Sequence, residues 1–377
     1  MRILLLSAYD ADSHRYWHDG LTRTLTRFDW TRLCLPPRYF SWRIRGNPLS
    51  WIFEQQHTLS HSYDLLVATS MVDVATLKGL VPSLAHTPTL VYFHENQFAY
   101  PPSPEQFKTI EAQMVTLYSA LAADLILFNS LYNRDSFLIG VDKLLAKMPD
   151  HCPRSLGKQL KQKSEILCVP LEDSLFESAP VRQSSETLTL VWNHRWEYDK
   201  APERLYKALC LFKNTGIPFK LHILGKRFRK CPSVFEQIQN EFCQHIGHFG
   251  MIESRSAYLE TLRSSHIVIS TALHEFQGLS ILEAVACGCI PVVPDRLSYA
   301  EFIPGEFLYP SWIEDEDKEA EALASQLIQP AADHAQNALP LAPCIDEFSW
   351  KRLAHRYETI LENIRCECTA DPNKPES

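Results

Sequence analysis

His266-Ile-Val-Ile-Ser-Thr-Ala-Leu-His-Glu-Phe-Gln-Gly-Leu-Ser-Ile-Leu-Glu-Ala-Val-Ala-Cys-Gly-Cys-Ile-Pro-Val-Val-Pro294 reads as strand, loop, helix and strand in one passage. A short apolar run ends near Ser270, a polar loop holds His274 and Glu275, a helix opens near Gly278 and carries Glu283, and Gly288 closes it before the next apolar run. Runs this short, apolar throughout rather than alternating, suit parallel strands covered by helices on both faces. Working outward, the same pattern recurs at Ile3–Leu6, Leu65–Ala68, Thr89–Phe93, Leu125–Phe128, Ile166–Val169, Leu188–Val191, Lys220–Leu224 and Ile290–Val293. The fold class is therefore α/β, with two doubly wound halves, and ligands are expected in loops at the carboxyl ends of the strands.

A chain of 377 residues suits two domains. The polar interval 177–186, with Pro180 and three serines, separates five of the strands from four more and places a boundary near residue 182. The expected division is 1–182, 183–345 and 346–377. The last part begins with the apolar face of Trp350, Leu353, Tyr357, Ile360, Leu361 and Ile364, which predicts a packed helix, and ends in a disordered tail over 367–377. The acidic run Glu314–Glu321 reads as a solvated helix start favoured by the helix dipole.

The composition is that of an ordinary globular protein, 45% hydrophobic and 22% charged. The net charge of -8 is unevenly spread: residues 1–300 carry 31 Lys+Arg against 29 Asp+Glu, and residues 301–377 carry 6 against 16. The acidity belongs to the tail and does not disfavour a nucleic-acid partner elsewhere. Eleven cysteines without a regular framework point to a reducing compartment, and the two CxC pairs, Cys287–Cys289 and Cys366–Cys368, lack histidines at zinc-site spacing. The first apolar run is too short for a signal peptide, and no run approaches a membrane span, so a cytoplasmic protein without integral membrane contact is expected.

Glu275 and Glu283 stand eight positions apart on either side of Gly278. A glycine at a helix start lets backbone approach a ligand, and the exposed N–H groups favour an anion there. Glu283 lies about 7.5 Å further along the helix, at about 1.5 Å per residue, so the two carboxylates can address opposite ends of one phosphate-bearing ligand. A second constellation follows the strand Leu188–Val191: Val191-Trp-Asn-His-Arg-Trp-Glu-Tyr-Asp-Lys-Ala-Pro-Glu203. Here Arg195 and Lys200 share a strand-to-helix loop, where paired cations neutralise a diphosphate and stabilise charge that grows on it. A third, Tyr92-Phe-His-Glu-Asn-Gln-Phe-Ala-Tyr-Pro101, sets His94 at the carboxyl end of a buried strand, within reach of a substrate hydroxyl.

The Glu-x7-Glu stretch, with its small-residue helix end and Cys-Ile-Pro-Val-Val strand, resembles the nucleotide-sugar segment of GT-B retaining glycosyltransferases. Together with Phe-His-Glu-Asn-Gln, Trp-x-His-Arg-Trp-Glu-x-Asp-Lys, His-Glu-Phe-x-Gly and Pro149-Asp-His-x-Pro153, it resembles the tRNA-queuosine α-mannosyltransferase family from the first strand to about residue 310. The resemblance implies a GT-B fold with two Rossmann-like domains facing a cleft, and transfer of mannose from GDP-mannose to queuosine in the anticodon loop of tRNA-Asp with retention. It implies catalytic roles for His94 and Glu275, and a donor site of Arg195, Lys200, His274, Gly278, Leu279 and Glu283. In that site Glu275 meets sugar hydroxyls, Glu283 the ribose, and the two cations the diphosphate.

The loop after the first strand departs from the family. It reads Tyr9-Asp-Ala-Asp-Ser-His14 where relatives often carry Gly-Gly before Ser-His, which affects how Ser13 and His14 meet a ligand. Asp10-Ala-Asp12 imitates a metal-binding DxD, but GT-B enzymes hold the diphosphate with basic side chains, and neither a metal nor another cofactor is expected. Pro37-Arg-Tyr-Phe-Ser-Trp-Arg-Ile-Arg-Gly-Asn-Pro-Leu-Ser-Trp51 interleaves Arg38, Arg43 and Arg45 with Trp42 and other aromatics, a composition that suits phosphates and unstacked bases. Lys158–Lys163 and Lys226–Lys230 add positive charge. The alternatives are a different sugar donor or a non-tRNA acceptor on the same chemistry, a nucleotide-sugar epimerase of the same architecture, or a non-catalytic tRNA- or nucleotide-binding module. Oligomeric state is left open by the sequence.

Overall fold

The computed structural model describes residues 1–100, 110–176, 187–227 and 231–369, with side chains to Ile364. The expected boundary near 182 and residues 228–230 of the basic stretch Lys226–Lys230 lie outside the described residues; of the tail expected over 367–377, residues 367–369 instead continue the helix Trp350–Thr369, and those from 370 are outside the described residues. The chain forms two units: Met1–Pro170 joined by the segment from Trp350 onward, and Leu171–Ser349.

In the first unit six strands, β1 (Arg2–Ser7), β2 (Asp29–Cys34), β3 (Leu65–Thr69), β4 (Thr89–Phe93), β5 (Leu125–Phe128) and β6 (Ser164–Ile166), form a parallel sheet in the order β2-β1-β3-β4-β5-β6. Every residue of β3 and β4 is buried, as strands sandwiched between helices must be. The helix Trp350–Thr369 belongs to this unit, buried at Trp350, Tyr357, Ile360, Leu361 and Ile364. Tyr357 explains much of the attachment. Its hydroxyl accepts from Trp17 Nε1 at 3.1 Å and donates to the Cys168 carbonyl at 2.9 Å, so three buried polar groups are paired at once.

The second unit repeats the plan with β7 (Leu188–Asn193), β8 (Phe219–Leu224), β9 (Ile246–Gly250), β10 (Ile267–Ile269), β11 (Ile290–Pro294) and β12 (Leu308–Tyr309), ordered β12-β11-β10-β7-β8-β9 and parallel throughout. Strand order reverses between β7 and β10, which makes their carboxyl ends the topological switch point where open α/β sheets bind ligands. The acidic run differs from expectation in one residue. The helix Glu316–Ala335 is capped by Asp315, which accepts from the Lys318 N–H at 3.0 Å, but Glu319 in its first turn is buried. It faces the sheet rather than water because Arg204 and Arg296 clasp it at 2.7 and 2.6 Å. No helix among the described residues is long and apolar enough to cross a membrane.

Candidate donor site and acceptor surface

β7 and β10 are adjacent in the sheet, so the loops that follow them run side by side. Two bonds join them and a third ties in β7 itself. The Leu273 N–H donates to the Asp199 carbonyl at 2.8 Å, and the Thr271 hydroxyl donates to the Lys200 carbonyl at 2.7 Å while accepting from Trp192 Nε1 at 3.1 Å. The first loop closes in a 3-10 turn over Tyr198–Lys200 and reaches the helix Pro202–Lys213 through Ala201, held at φ 46°. Pro202 then starts the helix, where its missing N–H costs nothing.

This geometry drives Lys200 inward. Its ammonium is buried and meets the His274 carbonyl at 2.5 Å, Glu275 Oε2 at 3.2 Å and Asp199 Oδ2 at 3.2 Å. Three donors are thereby occupied, which is all an ammonium has. Burial alone pushes the Glu275 carboxyl up, but the charge of Lys200, helped by His194 and His274, outweighs it and brings the pKa to about 2. Burial lowers His194 to about 3 and His274 to about 4, with Lys200 adding to both, so the two imidazoles are neutral at pH 7. Arg195, at the start of the same loop, is half exposed and pairs with Glu197 at 2.8 Å. Of the two cations spaced five apart, one is locked in and one faces solvent.

Gly278 opens the helix Leu279–Ala286 at φ 82°, a conformation that favours glycine, and a Cβ there would come within 2.9 Å of the Tyr299 ring. The first intrahelical bonds are those of Ile281 and Leu282 to the Gly278 carbonyl, so Leu279 and Ser280 lie in the turn whose N–H groups have no carbonyl ahead of them. Glu283 is the fifth residue of the same helix, in its second turn, and is buried. Its carboxylate accepts from Arg255 Nη2 at 2.6 Å and from the Tyr258 hydroxyl at 3.0 Å, and Asn193 donates to that hydroxyl at 2.7 Å. All the donor residues expected from the sequence thus gather at the switch point of the second unit. Asp199, His194, Arg255 and Tyr258 were not singled out beforehand. Asp199 stood beside Lys200 in a quoted motif, whereas Arg255 and Tyr258 come from a helix with no motif at all.

In the first unit His94 follows β4 and His14 sits in the opening turn of the helix Asp12–Thr24, and both are buried. Their rings stack with centroids 4.3 Å apart, and Trp17 and Tyr92 pack around His94. Glu95 Oε2 lies 3.1 Å from His14 Nε2. Burial opposes a charge on His14, yet Glu95 prevails and raises its pKa, while His94, buried and beside His14, is held well below the ordinary value. The pair therefore favours one charged and one neutral imidazole. Asn96 fixes the loop: its Oδ1 accepts the Phe98 and Ala99 N–H groups and its Nδ2 donates to Asn133. Ser13 is exposed in the helix start.

The aromatic-basic segment becomes the helix Phe40–Glu54. Trp42, Arg45, Leu49 and Phe53 form an exposed stripe, and Arg38 and Tyr39 precede it with the guanidinium 5.6 Å from the ring centroid. Gly46 lets the Trp42 indole lie across the helix, since a Cβ there would stand 2.4 Å from it. Arg45 pairs with Asp73 at 2.8 Å. Arg43, expected at the RNA surface, is instead buried, because it lies on the helix face of Asn47, four residues on, and not on the stripe of Trp42, Arg45, Leu49 and Phe53.

Residues 2–171 match the family profile described as tRNA-queuosine alpha-mannosyltransferase N-terminal, and residues 175–337 match that of glycosyl transferases group 1. The tRNA-queuosine alpha-mannosyltransferase of Drosophila melanogaster is 36% identical over 318 residues, 81% of this chain and 83% of the relative. Among solved structures, sucrose-phosphate synthase from Thermosynechococcus elongatus superposes with a TM-score of 0.67 at 13% identity, over 97% of this chain and 100% of that one. Anabaena HepE in complex with UDP and glucose gives 0.65 at 14% identity, over 96% and 100%. These structural likenesses carry the fold alone, a GT-B arrangement of two Rossmann-like domains. The sequence matches carry more: the chain is a glycosyltransferase and belongs to the tRNA-queuosine α-mannosyltransferase family.

Proposed function

We propose that this enzyme transfers mannose from GDP-mannose to the cyclopentenediol of queuosine in the anticodon loop of tRNA-Asp, with retention at the anomeric carbon and without a metal or other cofactor. The observation that carries the donor half is Lys200, buried between Asp199 and Glu275 at the switch point beside the start of the helix Leu279–Ala286. A fixed positive charge and outward N–H groups at one place suit a diphosphate. Arg195, half exposed, meets it directly. Lys200 acts through its charge and by exchanging one carboxylate contact for a phosphate oxygen. Glu275, ionised at pH 7, accepts from sugar hydroxyls, and Glu283 accepts from the ribose. The departing phosphate takes the proton of the acceptor hydroxyl, so no enzymic nucleophile is needed.

On the acceptor side His94, Ser13 and His14 offer hydrogen bonds to the sugar or the diol. The exposed stripe of Trp42 and Phe53, flanked by Arg38 and Arg45, offers stacking and phosphate contacts to unpaired loop nucleotides. The nine cysteines whose side chains are described are free thiols, which supports a cytoplasmic setting.

Purified enzyme incubated with queuosine-containing and queuosine-free tRNA and GDP-mannose or UDP-sugars, followed by nucleoside mass spectrometry, tests the assignment. A hexose added only to queuosine, and only from GDP-mannose, is expected. No hexose on queuosine with any donor refutes the acceptor, and transfer from a UDP-sugar alone refutes the donor.

A further inference from the structure

The loop after β1 and the end of β2 are stitched together by the Asp10 N–H to Leu35 carbonyl bond at 2.9 Å and the Leu35 N–H to Ser7 carbonyl bond at 2.8 Å. Against this frame lies the second turn of the helix Asp12–Thr24. Three side chains from three elements converge there: Asp10 from the loop, His18 from the helix and Cys34 from the last position of β2. Their donor atoms all lie within 4.8 Å of one another, with His18 Nε2 2.9 Å from Asp10 Oδ1 and 3.7 Å from Cys34 Sγ. Tetrahedral zinc, with bonds of about 2.0–2.3 Å to oxygen, nitrogen and sulfur, needs donors about 3.3–3.6 Å apart, so a small adjustment suffices.

A second observation concerns the other ring nitrogen. In the structure His18 Nδ1 accepts from Arg32 at 3.2 Å, and Asp19 Oδ1 stands 3.3 Å away, in place to become the carboxylate partner that a metal-ligating histidine characteristically has there. Arg32 also touches Asp19, and it stays on that carboxylate when the imidazole turns its Nδ1–H toward Asp19. Arg15 sits 3.4 Å from Asp10 Oδ2 and Ser7 donates to Oδ1 at 3.0 Å, which orient the carboxylate and leave Oδ1 toward the cluster. One carboxylate and one thiolate balance a dication, and Cys34 is exposed, which supplies an entry path.

We propose that Asp10, His18 and Cys34 bind one borderline-soft divalent cation of the zinc class, with water in the fourth position. The mixed oxygen, nitrogen and sulfur set excludes magnesium and calcium, which take oxygen ligands. On binding, the Cys34 thiol proton leaves to solvent and His18 presents its Nε2 lone pair. The cation pins the edge strand β2 to the helix that carries Ser13 and His14. It lies in the first unit, whereas the basic residues assigned to the diphosphate lie in the second. Its role is structural, and the metal-free reading of the donor site is unaffected.

Full-length protein stripped with a chelator and titrated with Co²⁺ is expected to bind one equivalent, with tetrahedral visible bands and a thiolate-to-cobalt charge-transfer band. Cys34→Ser should abolish the charge-transfer band. Cys34→Ser and Asp10→Asn should each weaken Zn²⁺, measured against a chromophoric chelator, by about tenfold or more. Cys243→Ser, an exposed thiol elsewhere, should bind as the wild type. Circular dichroism in chelator identifies a variant that fails to fold, and the exposed Cys34→Ser then decides alone. Less than one equivalent bound, a charge-transfer band that survives Cys34→Ser, or equal loss in Cys243→Ser overturns the proposal.

Discussion

Replacing Lys200 by Met removes a buried cation of similar length and leaves Asp199 and Glu275 facing each other without it. The size of the loss follows from Glu275. Its carboxyl is lowered from an ordinary 4.5 to about 2 in the fold, with Lys200 the largest favourable influence against burial, and at about 1.4 kcal/mol per unit that net gap is about 3.5 kcal/mol. Removing one member of a buried pair costs about 3–5 kcal/mol in general, so the two routes agree. Because the folded value is depressed, this stabilisation is present above about pH 4.5 and is lost as pH falls toward 2. Lys200→Met, Glu275→Gln and the double variant close a cycle that isolates the pair. Stability of the second unit is read by hydrogen exchange of its peptides along a urea series, at pH 7 and at steps down to pH 2.5. The coupling is expected to be about 3.5 kcal/mol at pH 7 and to shrink steadily below pH 4.5. A coupling under about 1 kcal/mol at pH 7, or one that does not change with acidification, refutes the view that Lys200 holds Glu275 ionised.

Arg195→Ala, at a half-exposed position, should lower kcat/KM for the donor by about 10²–10³ without moving the melting temperature; a fall under tenfold removes it from the diphosphate. Glu95→Gln should drop the His14 pKa from above 6.5 to below it, since burial, the largest influence, then outweighs the smaller help of Asp10 and the Tyr9 backbone; the pair's stabilisation, full below about pH 6.5 and lost as pH rises through the folded value, should vanish with it, and an NMR titration still above 6.5 contradicts this. Arg38→Ala should reduce the slope of log affinity for tRNA against log salt by about 1, whereas Trp42→Ala and Phe53→Ala should weaken binding by about 1–3 kcal/mol with the slope intact. Unchanged affinity and slope in all three would take this helix out of the RNA interface.

Where the sequence was read by apolar runs, it yielded the strands that are buried on both faces. β3, β4, β7 and β11 are buried at every residue and each was expected within a residue or two. The misses are all sheet edges: β2, β9 and β12 were not anticipated, and β6 was placed at 166–169 rather than Ser164–Ile166. An edge strand is covered on fewer sides, so its residues need not be apolar. Asp29-Trp-Thr-Arg-Leu-Cys34 has no fully buried position and leaves no such run. The site was legible for a related reason. Loop chemistry at the switch point is local, so Arg195, Lys200, Glu275 and Gly278 stand in short motifs, and the resemblance of those motifs to the family singles them out. Partners brought by tertiary packing did not: Arg255 on Glu283, Glu95 on His14, and the inward turn of Arg43 depend on which face each helix presents.

The two cations of the β7 loop were alike in the sequence and are unlike in the fold, and the backbone between them explains why. Ala201 stands at positive φ directly before a proline, two circumstances that each disfavour a residue with a side chain. Such a conformation costs of order 1–3 kcal/mol and persists only where its surroundings impose it. Here the imposing contacts are the Thr271 hydroxyl on the Lys200 carbonyl and the Leu273 N–H on the Asp199 carbonyl, which pull the end of the loop onto the β10 loop. The strain therefore serves to turn Lys200 into the fold while Arg195, at the relaxed start, remains at the surface. In the proposed donor site a buried cation sets the ionisation of Glu275 before any ligand arrives, and the half-exposed Arg195 exchanges its Glu197 contact for phosphate. Preorganised charge and an adaptable contact are different requirements of glycosyl transfer, and a single strained residue separates them.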